Sequence, residues 1–329
     1  MSADAPTTVI TPADQARMAQ VEQRFAAFDA DTAKGMAEKR YGWSPEGLML
    51  FEASSDVPVG STRTDHLSAW PGTGWTSEAF PEAVGEWVDQ LPTYELKPGS
   101  KTTYTWGRQP LRPGPYFGSG TATSFCTPAP TARTRGIMTI ALVDLQARPE
   151  GFDCLLDGVG GQHLTLTADG KKIGEFDGST TAGAPARFNV PARPANYTLT
   201  YQNDASAVLP VSVRTSTKWT FRSAAPSGQE SAPLPLVTVD YDLALDLLGK
   251  PTGRPATFDV PAGKRLKLWT SLDDGKTWQS ARVTSLGAGR FGAPLPTATS
   301  GQGVSIRVHA TDAKGNAVDQ DIIRAYRIR

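Results

Sequence analysis

Cysteine and histidine are nearly absent from this chain, and each scarcity removes a class of chemistry. Only Cys126 and Cys154 occur, so a zinc site of four thiolates is excluded. A mixed site, or a general base, would have to recruit His66, His163 or His309 from distant parts of the sequence. Net charge is missing as well: Lys+Arg 33 stand against Asp+Glu 33. Without a basic excess there is no field to draw nucleic acid or an anionic membrane surface. No apolar run approaches the roughly 18–20 residues of a membrane-spanning helix. Met1-Ser2-Ala3-Asp4-Ala5-Pro6 has neither the basic start nor the apolar stretch of a signal peptide. G-x-S-x-G, phosphate-loop and dinucleotide-binding patterns are all lacking.

What the chain does have is glycine, 32 residues, and proline, 26, with 39% hydrophobic residues. That composition fits many turns and few long helices. Abundant Thr, Gly, Pro and Ala and sparse Lys favour a mature or truncated piece of an exported protein over a cytoplasmic one. In an oxidising compartment Cys126 and Cys154 are candidates for a disulfide. Closing the 27 intervening residues would stabilise the fold by about 3–4 kcal/mol in the chain-entropy model.

The patterning predicts an all-β protein of two consecutive antiparallel β-sandwich domains behind a short N-terminal extension. In residues 1–42, Thr11-Pro12-Ala13-Asp14 is a helix start, with Met18, Val21, Phe25 and Phe28 on one helical face. Ala19, Val21 and Phe25 against Gln20, Glu22 and Arg24 equally fit a strand; local signals put the helix slightly ahead. Residues 31–42 are polar and read as a connector. Residues 43–223 form the first expected domain: a buried run Leu48-Met49-Leu50-Phe51, strands over Thr62–Ser68, Thr102–Trp106, Ile137–Val143 and Tyr197–Tyr201, and an edge strand carrying Leu209, Val211 and Val213. Leu164–Gly174 is a hairpin turning at Asp169-Gly170. Residues 224–235 are a Ser/Gly/Pro linker. Residues 236–329 carry about seven strands in roughly 95 residues, the size of an immunoglobulin- or fibronectin-like sandwich. Phe258-Asp259-Val260-Pro261-Ala262 there echoes Phe188-Asn189-Val190-Pro191-Ala192.

Candidate sites are few. Ser271-Leu272-Asp273-Asp274-Gly275-Lys276-Thr277-Trp278 fits S-x-D-x-G-x-x-W, an Asp box. Ser271, Asp273, Gly275 and Trp278 are its structural turn residues, and a single copy argues against a repeating propeller. Trp70, Trp75 and Trp87 lie in irregular surroundings, where indoles either cover a core edge or stack on sugars; core packing is the commoner role. Calcium candidates are Asp312/Asn316/Asp319 and Asp240/Asp242/Asp246, neither with EF-hand spacing; solvent-facing acids are the simpler reading. The residues imply no cofactor, no metal and no assembled catalytic site.

Several segments carry a resemblance: Trp219-Thr220-Phe221-Arg222-Ser223, the Asp-box hairpin, Val304-Ser305-Ile306-Arg307-Val308-His309-Ala310-Thr311-Asp312, Gly315-Asn316 and Ile322-Ile323-Arg324-Ala325-Tyr326. With Arg63-Thr64-Asp65-His66-Leu67-Ser68-Ala69 and Tyr94 … Tyr104-Thr105-Trp106-Gly107-Arg108, they resemble the C-terminal, β-rich region of large secreted subtilisin-like serine peptidases of actinobacteria. The likeness runs from about Trp43 to Arg329 and is strongest in the last hundred residues. It implies a strand near residues 18–28. The Asp-Ser/Thr-Gly, His-Gly-Thr-His and Gly-Thr-Ser-Met-Ala segments of the peptidase engine are missing, so no catalytic residue carries over. The resemblance implies an extracellular, non-catalytic accessory module, with a protease catalytic domain or a cell-surface or protein substrate as partner. A carbohydrate- or cell-surface-binding sandwich is the alternative.

Overall fold

The structure, a computed structural model, describes residues 11–27, 35–81, 89–118, 129–147, 160–180, 185–227, 231–296, 299 and 301–327. The described chain is all-β, organised in several mostly antiparallel sheets. Its one helix is the single turn Pro12–Gln15. Thr11 and Asp14 form the expected capping box, Thr11 Oγ1 accepting from the Asp14 amide at 3.2 Å. The helix does not continue; Met18–Phe25 is a strand. Ala19, Val21, Gln23 and Phe25 all point inward. Thr62–Ser68 pairs on one side antiparallel and Lys101–Trp106 on the other parallel. Two flanking ladders satisfy more backbone groups than a short isolated helix can. Gln23 hides the alternation in sequence because it is polar yet fully buried, its Oε1 accepting from Trp106 Nε1 at 2.6 Å.

The supposed connector over 31–42 contains the strand Met36–Trp43, which lies between Met49–Val57 and Gly74–Pro81 in a four-stranded sheet closed by Asp89–Glu95. Its polarity is misleading because Glu38 and Arg40 are buried. The buried run predicted at Leu48-Met49-Leu50 is also corrected. These side chains are 66%, 48% and 60% exposed, because they lead into an edge strand with open solvent on one side.

The largest layer is an eight-stranded sheet, in the order Lys171–Asp177, Gly161–Ala168, Ala195–Asp204, Arg214–Ser223, Ala317–Arg327, Gly303–Asp312, Gly263–Ser271, Gln279–Ala281. Segment 224–235 therefore does not separate two sheets: Arg214–Ser223 pairs directly with Ala317–Arg327 across it, with Trp219 opposite Val318. One face of this sheet is apolar. Leu164, Leu199, Trp219, Leu268, Ile306 and Val308 share a core with Met138, Phe188, Tyr241, Phe258 and Phe291 from smaller sheets. The two Phe-x-Val-Pro echoes have the same job: each ends a short strand, burying its Phe and Val in that core.

The 161–177 hairpin turns as expected, with Asp169 and Gly170 at φ 48° and 77°. The run 137–143 splits into Ile137–Ile140 and the start of Leu142–Gln146. Leu209, Val211 and Val213 are buried, but no strand forms until Arg214. Ser212 between them holds φ 50°, which interrupts extended geometry.

Asp144 is 1% exposed and accepts from Ser179 Oγ at 2.7 Å and from the Tyr201 hydroxyl. Burial pushes its pKa up to about 6, against the two hydroxyls, which pull it down. An unfolded aspartate titrates near 3.9, so this group favours the fold below that pH and loses its contribution as pH rises through about 6. The change is on the order of 3 kcal/mol. Asp144→Asn is expected to flatten the stability profile between those values, measured by urea unfolding at several pH values. Parallel profiles for the two proteins would contradict it.

Candidate functional site

The other face of the eight-stranded sheet is polar, and the register lines its side chains into rows. One row runs Asp177, His163, Gln202, Ser216, Asp321, Arg307, Trp269, each residue directly opposite the next on the neighbouring strand. The adjacent row runs Glu175, Thr165, Thr200, Lys218, Asp319, His309. Alternation forces this: the inward neighbours fill the core, so every second residue must face out. Apart from Asp177, Glu175 and His309, the two rows floor an open groove of about 650 Å³.

Its charges are neutralised in pairs. Arg307 donates to Asp321 through Nε at 2.7 Å and Nη2 at 2.6 Å. Asp319 accepts from His309 at 2.7 Å and meets Lys218 at 3.1 Å. Burial alone would raise the Asp319 pKa, but these partners outweigh it and the net direction is down. The bond to Asp321 holds Arg307 further into its charged form.

His163 is the side chain that most needs a chemical reading. Its Nδ1 lies 2.7 Å from Asp177 Oδ1, and its Nε2 lies 3.2 Å from Thr165 Oγ1. With Nδ1–H donating to Asp177, Thr165 donates to Nε2, the order of a nucleophile, base and acid. Two features separate it from a working triad. Asp177 is 79% exposed at the side chain, so water competes for the imidazole. Thr165 lies on a strand flanked by ladders on both sides, whose backbone N–H groups run in the sheet plane instead of pointing at the hydroxyl as an oxyanion pair would.

The other sequence candidates fall elsewhere. Cys126, Cys154 and Trp87 lie outside the described residues. Trp75 is a correction: it is 5% exposed, packs with Val21 and Leu67, and donates from Nε1 to Ser68 O at 2.8 Å, so no ligand can stack on it. Trp70 is 60% exposed. In the Asp box, Ser271 Oγ accepts from the Gly275 amide at 2.9 Å, and Asp273 accepts from the Thr277 amide at 2.9 Å and hydroxyl at 2.7 Å. Those bonds, the Thr277 amide foremost, lower the Asp273 pKa to about 2. Gly275 has φ 81°, and a Cβ there would meet Ile323 at 2.8 Å. Trp278 receives Arg307 over its ring at 4.3 Å, so the Asp box supports the end of the groove. His66 sits in the ladder opposite Gln20, and its side chain makes no hydrogen bond among the described residues.

The two acidic sets do not converge. Asp240 accepts from Arg108 and Arg112, while Asp242 and Asp246 cap turn amides. Asp312 binds Asn316 within its own turn, while Asp319 faces His309. No group of three or more His, Cys, Asp or Glu suited to a metal occurs among the described residues. No helix there is long and apolar enough to cross a membrane. Gln202, Ser216 and Trp269 escaped the sequence reading; alternation marked each as outward, but only pairing register places them together.

Fold and site define an all-β protein with an open polar groove on its largest sheet. No protein-family model matches the chain, and a search of curated proteins returns no significant match.

Proposed function

We propose that the chain is a non-catalytic accessory module, working outside the cell, that supports or targets proteolysis by a subtilisin-like catalytic partner. One observation carries the non-catalytic part. The one imidazole–hydroxyl–carboxylate contact among the described residues is a surface cross-strand pairing whose flanking backbone N–H groups are turned into the sheet ladders. The link to peptidases is supported by the ordered resemblance between about Trp43 and Arg329. An oxidising setting of that kind would favour a disulfide between Cys126 and Cys154.

Purified chain is expected to leave casein intact and to prolong the thermal half-life, or speed the turnover, of a subtilisin-like catalytic domain mixed with it. Casein cleavage that a sulfonyl fluoride blocks, and that His163→Ala or Thr165→Ala abolishes, would show that the surface contact is an active site. A second reading, binding of carbohydrate or cell surface, is favoured by the groove itself: polar, open, and bordered by an indole.

A further inference from the structure

We propose that the groove across the eight-stranded sheet binds a neutral oligosaccharide, laid perpendicular to the strands, with Trp269 as its stacking platform. This deepens the second reading and rests on it, while standing apart from the association with a peptidase.

Charge is the first argument. The charged side chains that line the groove already have opposite partners on the same face, Arg307 with Asp321 and Lys218 with Asp319, and the His163 imidazole is already bonded to Asp177. A charged ligand would have to break one of these pairs and leave a charge unmatched. A polyol need not, because a carboxylate held by a guanidinium still has lone pairs for a hydroxyl, and the cation keeps N–H groups to donate.

The second argument is what remains unused. Gln202 and Ser216 sit opposite each other at mid-groove, are exposed, and make no side-chain hydrogen bond among the described residues. The amide and the hydroxyl each donate and accept, as a sugar hydroxyl does. Trp269, half-buried beyond Arg307, offers an apolar indole whose N–H makes no hydrogen bond among the described residues. Sugar rings have a C–H face for such a surface and a hydroxyl rim for the polar floor.

The third argument is shape. From His163 to Trp269 the row crosses six adjacent strands, roughly 24 Å at the usual strand spacing, enough for a short oligosaccharide. The volume of about 650 Å³ is that of ordinary ligand clefts. These side chains stand on paired strands, so little ordering is required on binding. Because the floor strands are paired on both sides, they have no free edge for a peptide to join as an added strand.

The test is calorimetric titration of the full chain with neutral hexasaccharides (β-1,4-glucan, β-1,4-xylan, β-1,3-glucan and α-1,4-glucan), against oligogalacturonate and chitosan hexamers. At least one neutral hexasaccharide is expected to bind, with the charged hexamers weaker by about tenfold or more. Trp269→Ala should weaken binding by about tenfold or more, and Trp269→Phe should retain most of it. Gln202→Ala should weaken it severalfold, and Trp70→Ala should change nothing. Should Trp269→Ala fail to fold, the exposed Gln202→Ala and Ser216→Val variants carry the test. No binding of any neutral hexasaccharide at about 1 mM, preference for a charged hexamer, or undiminished binding by folded groove variants would overturn the proposal. Glycan binding with no effect on a peptidase would strike only the association with proteolysis; the converse would strike only the groove.

Discussion

Trp219→Ala is expected to destabilise the protein by about 3–5 kcal/mol, the cost of removing a large buried aromatic. Trp219 is 1% exposed and donates from Nε1 to Val237 O at 2.9 Å. Its strand, Arg214–Ser223, joins Ala195–Asp204 on one side and Ala317–Arg327 on the other. Its indole thus ties together elements that precede and follow the 224–235 segment. Truncation leaves a cavity and an unpaired Val237 carbonyl. Because both groups of strands share one core, the damage should reach both. Amide exchange should accelerate together in Ala195–Asp204 and Gly303–Asp312, alongside a lower urea midpoint. Faster exchange confined to Ala195–Asp204 would show that the strands after 236 are a separate cooperative unit.

Glu38→Gln comes next in size, at about 3 kcal/mol or more. Glu38 is 3% exposed and accepts from Arg40 at 2.6 Å, Arg63 at 2.8 Å and Ser55 Oγ at 3.0 Å. Asp65 completes the set, accepting from both arginines. Glu38 and Arg40 stand on one sheet, Arg63 and Asp65 on another, so two carboxylates and two guanidiniums join the layers where apolar side chains usually would. A neutral amide leaves two cations facing one carboxylate in a partly buried site. The double variant Glu38→Gln/Arg63→Gln should cost less than the sum of the singles, a coupling that a double-mutant cycle measures. Salt should change that coupling little, since screening acts weakly on buried pairs. Additive effects, or a coupling that vanishes in salt, would mean that these four residues behave as surface charges.

The same network explains what could be read from the chain unaided. Residues 31–42 gave no strand signal because Glu38 and Arg40 occupy inward positions that a pattern reader reserves for apolar side chains. Gln23 masked Met18–Phe25 in the same way, although Thr11 and Asp14 correctly announced a helical turn. Where the inward set was apolar, as in Gly161–Ala168, Ala195–Asp204 and Gly303–Asp312, alternation and the Asp169-Gly170 turn located the strands directly.

By itself, then, the amino-acid order determined the all-β class, the main turns of the C-terminal half and the construction of the Asp box, because these depend on neighbours within a few residues. It also limited the chemistry, through two cysteines, three histidines and balanced charge. Only the tertiary structure decided that Arg214–Ser223 pairs with Ala317–Arg327, that Trp75 is buried while Trp70 is not, and that His163, Gln202, Ser216, Arg307 and Trp269 share one groove. The reason is register. Which residue lies opposite which is fixed by hydrogen bonding between strands as much as 109 positions apart, Arg214 with Ile323 for one, and no local pattern encodes a pairing made at that distance.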